Sequence, residues 1–161
     1  MKQIDLDSID IKLLNALQTD ASLSNQALAA LAHISPPTCL RRIKRLKDAG
    51  LIEREVALLN ADKLASITGH GLTALVEISL DHQGDEQQCA FEQRINTDAA
   101  VQQCYRTSPG PDFVLIVHVP DMTAYAALGQ RLFTSDTNVR NVKAFFSIKR
   151  SKFEPKVLLT Q

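Results

Sequence analysis

Cysteine, tryptophan and long apolar runs are scarce in this chain, and these shortages exclude several classes of protein. Its 161 residues include three cysteines and no tryptophan. An odd number of widely spaced cysteines argues against a disulfide framework or a zinc ribbon and fits a reducing cytosol. No run approaches the roughly 20 apolar residues of a membrane span, and the first residues lack a secretory core. We therefore expect a cytoplasmic protein.

The chain also lacks an excess of charge and a regular spacing of metal ligands. Its 18 basic and 18 acidic residues cancel, so the total charge gives no argument for a nucleic-acid partner. The four histidines share no ligand spacing, and we expect neither a metal site nor a cofactor. With 45% apolar residues, the chain is long enough to form two small domains.

Positive charge is concentrated in one segment that has the start and stop signals of a helix. Residues 41–47 hold five cations and no acid. Ser35 and Pro36 mark the helix start, and Gly50 marks its end. Uncompensated positive charge along a helix predicts a polyanionic partner. Because an isolated basic run is more often only a solvated helix face, the neighbouring segments decide between these interpretations.

Two apolar helices, predicted near 7–19 and 24–32, precede the basic helix as in a helix-turn-helix, and residues 51–59 suit a strand or wing. This context favours DNA binding over a solvated face. Arginine can read guanine in the major groove, whereas contacts to phosphate carry no sequence information. The residues predicted to face the major groove are Pro37, Thr38, Arg41, Arg42 and Arg45. The residues predicted to contact mainly the DNA backbone are Ser35 and Lys44.

The second half of the chain follows the order strand, helix, strand, strand, helix, strand. The strands are predicted at 72–80, 101–107, 113–119 and 142–148, with a short fifth strand at 155–159. This order predicts a ferredoxin-like βαββαβ sheet with two helices on one face. The other face is expected to be too apolar to stay exposed, which predicts a homodimer that packs these faces together. Its expected residues include Leu115, Val117, Val119 and Phe145.

The chain is thus predicted to be an α+β protein. Residues 1–59 form a winged helix-turn-helix, residues 60–71 a linker with a short helix, and residues 72–161 the ferredoxin-like domain. The chain also contains several short motifs: Leu6-Asp7 with Asp10, Ile34-Ser35-Pro36, Cys39-Leu40-Arg41-Arg42, Gly50-Leu51-Ile52, Ala57-Leu58-Leu59-Asn60, Asp112-Phe113 and Val119-Pro120-Asp121-Met122-Thr123-Ala124-Tyr125. In this order they resemble the leucine-responsive and asparagine-responsive transcriptional regulators, the Lrp/AsnC or feast/famine family.

The resemblance implies dimers that often assemble into octamers and a small effector, commonly an amino acid, bound between dimers. It places the effector against the loop between the second and third strands. The candidate residues are Ser108, Pro109, Gly110 and Asp112, with Met122, Phe145, Phe146 and Ser147 as neighbours. Where this chain has Pro109 the family pattern has glycine, so an amide donor is lost, and Gly110 or the cation of Arg106 is expected to replace it. For Asp112, a role as a turn residue within its own loop has equal standing.

Two alternatives share part of the pattern. Sirohaem decarboxylases resemble the chain in architecture, but their chemistry requires a pocket of cationic and proton-donating groups, and the dispersed histidines form no such set. A low-specificity architectural DNA-binding protein would use the same basic helix. The sequence favours a sequence-specific transcriptional regulator that is not an enzyme.

Overall fold

The computed structural model describes residues 5–69 and 71–159, so the predictions for residues 1–4, 70, 160 and 161 lie outside the described residues. The elements are α1 (Ser8–Thr19), α2 (Asn25–Ala32), α3 (Pro36–Asp48), α4 (Ala61–Thr68), β1 (Leu72–Leu80), α5 (Asp85–Asn96), β2 (Val101–Arg106), β3 (Phe113–Val119), α6 (Met122–Gly129), a π-helical turn (Gln130–Thr134) and β4 (Val139–Phe146). Within the described ranges, no helix is long and apolar enough to cross a membrane.

The chain divides into two compact units. The first contains the described residues up to Leu58 together with those from Lys152 onward, and the second is Leu59–Ser151. The last residues therefore belong to the helical unit, whereas the sequence assigned them to the second domain. Two hydrogen bonds join these residues to α1. The side-chain amide of Gln18 donates to the carbonyl of Val157 at 3.2 Å and accepts from the N–H of Val157 at 2.6 Å.

The first unit is a helix-turn-helix built on small side chains. Asp7 caps α1 by accepting hydrogen bonds from the backbone N–H groups of Ile9 and Asp10. A left-handed residue, His33, with φ of 55°, makes the turn into α3. The core is formed by a few apolar side chains, of which two are alanines that let the helices approach closely: Leu13, Leu28, Ala29, Ala32 and Cys39.

Three local predictions in this unit are corrected. Ser35 is the N-cap of α3, but its hydroxyl lies 2.8 Å from that of Thr38 and makes no capping hydrogen bond. Residues 53–59 contain no strand, so the strand predicted after α3 is not present in the described chain. Residues 155–159 are also not a strand. Gly50 is left-handed as predicted, with φ of 72°.

The second unit confirms the ferredoxin-like βαββαβ topology. Its sheet is antiparallel with strand order β2-β3-β1-β4. The central strands are held in register by pairs such as Val76 with Leu115 and Ile78 with Phe113. These residues are fully buried and form one core with Phe91 of α5 and other side chains from both helices.

The register reverses the predicted assignment of the two faces. Leu115, Val117 and Val119 are buried under the helices instead of lying on the open face. Alternation along the strands places a different set on the open face, where Leu75 pairs with Ile116 on one side and with Phe145 on the other. Leu75, Tyr105 and Phe145 are exposed there, and Val114 and Ile116 are half-buried. The open face is apolar, as expected, but only Phe145 was correctly assigned to it.

Candidate nucleic-acid interface and effector region

One side of α3 carries most of the predicted DNA contacts. Thr38, Arg41 and Arg45 follow one another at spacings of three and four residues, which places them on one helix face. Pro37, Arg41 and Lys44 are exposed. Among the described residues, Arg41 and Lys44 have no hydrogen-bond or ion-pair partner, so their charges are available to a polyanion.

Two further arginines of α3 are bound to carboxylates of α1. Nη1 of Arg42 donates to Asp7 at 2.7 Å and to Asp10 at 2.9 Å. Nη2 of Arg45 forms an ion pair with the other oxygen of Asp10. The Asp10 side chain is 0% exposed, and those of Arg42 and Arg45 are 23% and 46% exposed. Arg42 therefore lies in the contact between α1 and α3, bound to two carboxylates, whereas the sequence predicts that it faces the groove.

Hydrogen bonds favour the charged forms of two members of this cluster, Asp7 and Arg42. The backbone N–H of Asp10 and the guanidinium of Arg42 lower the pKa of Asp7 below its usual value. The same carboxyl, followed by that of Asp10, raises the pKa of Arg42. Ionised partners on both sides explain how the buried Asp10 carboxylate is accommodated.

Fewer cations of α3 are therefore free to bind an anion than the sequence indicates. Lys47 is also paired, at 2.7 Å from Glu55. Three of the five cations of α3 thus have a carboxylate partner within the chain. A surface pocket of about 330 Å³ lies beside this cluster, lined by Asp7, Arg41, Arg42 and Arg45.

The sequence reasoning did not predict that Asp10 binds the arginines of α3. Asp10 appeared only as part of a motif near the start of α1, where it also completes the capping box with Asp7. Nothing in the local spacing links it to arginines 32 and 35 residues further along. The available signal was an acid at the third position of α1, in a domain whose third helix is strongly basic.

The loop between β2 and β3 is held by hydrogen bonds to β1 and within itself. Asp112 is 7% exposed, and its carboxylate accepts from the N–H of Leu80 at 2.7 Å. Its own N–H donates to the carbonyl of Ile78 at 2.8 Å. The N–H of Thr107 donates to the Asp112 carbonyl at 2.9 Å, and Gly110 has a positive φ of 125°. The Asp112 side chain is thus bonded to β1, and only its backbone carbonyl is bonded within the loop, where the turn-residue role expects the side chain to bond.

Arg106 does not offer a free cation at this loop. Its guanidinium forms two hydrogen bonds with Glu92 of α5, at 3.0 and 2.9 Å, and lies against the ring of Phe113. The side chains are brought together because β2 packs beneath α5, a contact that sequence spacing does not reveal. The expected capture of a ligand carboxylate by Arg106 would require this pair to open.

The predicted effector residues lie at two ends of the sheet. Asp112 is bonded to Leu80 at one end of β1, whereas Phe146 pairs with Ala74 near the other end. Six residues of strand separate these positions by about 20 Å. Phe146 also contacts Tyr125 on the helix side, with ring centroids 5.1 Å apart, while Phe145 lies on the open face. One chain therefore does not unite the group formed by Ser108, Pro109, Gly110 and Asp112 with the group formed by Met122, Phe145, Phe146 and Ser147.

Within the described ranges, no three histidine, cysteine, aspartate or glutamate side chains are placed to hold an ion. Most of the ion pairs among the described residues join an arginine to a carboxylate. Their chemistry suits anion recognition and structural support.

Comparison with known proteins agrees with this architecture. A winged helix-turn-helix DNA-binding model matches residues 6–53, and the Lrp/AsnC ligand binding domain model matches residues 73–157. The DNA-binding transcriptional activator DecR of Escherichia coli K12 is 36% identical, covering 92% of this chain and 95% of the relative.

Two crystal structures are similar over nearly their whole length. An AsnC family transcriptional regulator from Agrobacterium tumefaciens has a TM-score of 0.83 at 30% identity, covering 95% of this chain and 97% of that one. A transcriptional regulator from Neisseria meningitidis, solved as an L-methionine complex, has a TM-score of 0.81 at 27% identity, covering 96% and 97%. These relatives are regulators of transcription, and none of their names describes an enzyme. The chain belongs to the Lrp/AsnC family of transcriptional regulators, with a DNA-binding helix-turn-helix and a ligand-binding domain.

Proposed function

We propose that this regulator binds its operator as a homodimer, reads the major groove with α3, and changes its affinity for DNA when a small amino acid binds. The observation that carries the DNA-reading part is the continuous outer face of α3, on which Arg41 and Lys44 have no partner among the described residues and Arg45 is half exposed. The cytoplasm is the expected location, because a regulator must meet chromosomal DNA there.

The proposed roles divide by chemistry. Arg41 and Arg45 recognise base edges, and Pro37 and Thr38 fill the groove beside them. Lys44 binds a DNA phosphate. Ser35 lies at the N-terminus of α3, a position where contacts to the DNA phosphate backbone are common. Arg42 is removed from the base-reading set because its Nη1 is bound to two carboxylates.

A gel-shift titration tests these assignments. A duplex is first selected from a random library by the wild-type protein, and a scrambled duplex of the same length serves as competitor. Arg41→Ala is expected to weaken binding to the selected duplex and to relax its sequence preference. Lys47→Ala is the matched control on the same helix, since Lys47 is already paired with Glu55. Unchanged affinity and preference in both Arg41→Ala and Arg45→Ala would contradict the proposal.

The proposed dimer uses the open face of the sheet. Leu75, Tyr105 and Phe145 are exposed there beside the half-buried Val114 and Ile116, and burying such apolar area favours association by about 25 cal/mol per Å². Leu75→Glu is expected to shift sedimentation toward the monomer. Gln93→Glu, an exposed substitution on the helix side, is the charge-matched control. An octamer remains a prediction that the same experiment on the wild type examines.

The effector proposal is supported by two observations. A structural neighbour was solved as a complex with L-methionine, and the family model that matches residues 73–157 is a ligand binding domain. Because the candidate residues lie at opposite ends of one sheet, a site that uses both groups needs more than one copy of the chain. Calorimetric titration with single amino acids, L-methionine included, is expected to give heat with one of them and a changed operator affinity. No heat and no change in DNA affinity with any amino acid would refute this part.

A further inference from the structure

Asp10 is placed to influence DNA recognition although it is buried. One carboxylate oxygen accepts from Nη1 of Arg42, and the other is bound to Nη2 of Arg45. The second oxygen also lies 3.3 Å from the backbone N–H of Asp7. The Asp10 side chain is 0% exposed, so it cannot itself touch DNA in this arrangement. Any effect on recognition must pass through the arginines.

The two arginines differ in what they retain for DNA. Arg42 has a 23% exposed side chain, and its Nη1 is shared between two carboxylates. Arg45 is twice as exposed, and only its Nη2 is bound. A guanidinium has five N–H donors in a rigid fork, so Arg45 keeps donors for a bidentate contact with a base.

Arg41 can be compared with Arg45 within the same helix. It lies one turn before Arg45 on the same helix face and has no partner among the described residues. A free arginine must lose rotamer freedom when it binds a base, whereas one already held in place loses less. The same carboxylate repels phosphates nearby and so reduces binding to any DNA.

We propose that Asp10 is a positioning residue for DNA recognition, which fixes the guanidinium of Arg45 before DNA arrives and thereby increases discrimination between base pairs while reducing affinity for DNA of any sequence. The inference rests on the proposed base-reading role of Arg45. It assigns Arg42 a supporting role, since that side chain shares Asp10 and keeps the carboxylate in place.

The substitution Asp10→Asn tests this with two readouts that move in opposite directions. Affinity is measured for the duplex selected by the wild-type protein and for a scrambled duplex. Discrimination between them is expected to fall about tenfold, within the range of one weakened base contact. Affinity for the scrambled duplex is expected to rise about twofold, because one negative charge near the phosphates is lost. Simple loss of folded protein would lower both affinities together.

Asp7→Asn is the matched control. It removes the same charge from the same cluster, and asparagine remains a good helix N-cap. Asp7 contacts Arg42 but not Arg45 in the described structure, so discrimination should stay at the wild-type level while affinity for scrambled DNA rises. Equal loss of discrimination in both aspartate variants, or in neither, would overturn the inference.

Arg45→Ala separates this inference from the function on which it rests. If Arg45→Ala leaves discrimination unchanged, the base-reading role fails and the inference with it. If Arg45→Ala lowers discrimination but Asp10→Asn does not, only the inference fails. In an Arg45→Ala background, the further change Asp10→Asn is expected to have no effect on discrimination.

A measurement on the wild-type protein covers the case in which Asp10→Asn does not fold. Side-chain NMR of the free protein is expected to show the Nε–Hε group of Arg45 ordered and that of Arg41 mobile on the ps–ns timescale. Equal mobility of the two groups would show that Asp10 does not hold Arg45 in solution and would overturn the inference.

Discussion

The salt dependence of DNA binding is set by the number of cations of α3 that are free to contact phosphates. Lys44 is one of these free cations, so its substitution tests the contribution of a single one. Lys44 is exposed and has no ion-pair partner among the described residues, whereas Lys47 on the same helix lies 2.7 Å from Glu55. A free lysine that neutralises a phosphate releases a counterion, but a lysine already neutralised within the protein releases few. Lys44→Ala should therefore change the salt dependence, and Lys47→Ala should not.

The magnitude follows from the number of copies. Each phosphate contact contributes about 0.9 to the slope of log affinity against log salt concentration, so a dimer that loses Lys44 twice has a slope flatter by about 1.8. Between 50 and 200 mM salt, the wild type should then lose about twelvefold more affinity than Lys44→Ala. If the protein bound as a monomer, the change in slope would be half as large.

Fluorescence anisotropy with a labelled duplex at five or more salt concentrations gives the slope directly. The scrambled duplex should show the same difference in slope as the selected one, because phosphate contacts carry no sequence information. An unchanged slope for Lys44→Ala, or equal flattening for Lys44→Ala and Lys47→Ala, would refute the distinction between free and paired cations.

Three further predictions concern stability. Asp112→Ala leaves the buried N–H of Leu80 without its acceptor and should cost about 1–3 kcal/mol in urea unfolding, whereas a neutral result would remove the structural role of that carboxylate. Leu46 on α3 is fully buried, so Leu46→Ala leaves a cavity and should lower the free energy of unfolding by about 2–5 kcal/mol, measured by thermal unfolding. A loss of less than about 1 kcal/mol would contradict the burial of this side chain. The hydrogen bond from Arg131 lowers the pKa of Asp98 below its ordinary 3.8, so this pair stabilises the fold above about pH 4 and loses its effect as the pH falls through the lowered pKa. Arg131→Ala should therefore have a lower free energy of unfolding than the wild type at pH 7. Between pH 7 and pH 2, the free energy of unfolding should fall less in Arg131→Ala than in the wild type.

Local signals in the sequence determined the elements and their order. The signals for α3 are close in the chain: a proline in the first turn, an apolar stripe that includes Cys39 and Leu46, and Gly50 with its left-handed φ at the end. The strand 113–119 also has the predicted bounds. Such features depend on backbone preferences and on periodicity over a few residues, so they can be read without knowledge of the rest of the chain.

The tertiary structure alone decided which face of each strand is covered. In β3 both alternating sets are apolar, Leu115 and Val117 on one face and Val114 and Ile116 on the other. Alternation separates the two sets but does not say which one meets the helices. That choice depends on the packing of Phe91 and other helical side chains, and the prediction from the sequence was wrong.

The same limit applies to the basic helix. Its charges, its ends and its resemblance to a DNA-reading element are local properties, and they indicated the function. Whether a given arginine is free depends on a carboxylate brought near by folding, and Asp10 lies more than 30 residues before its partners Arg42 and Arg45. The sequence by itself determined that this helix is basic and faces outward in part. Only the tertiary structure decided which cations remain available, because ion pairing depends on distances in space that the chain acquires by packing α1 against α3.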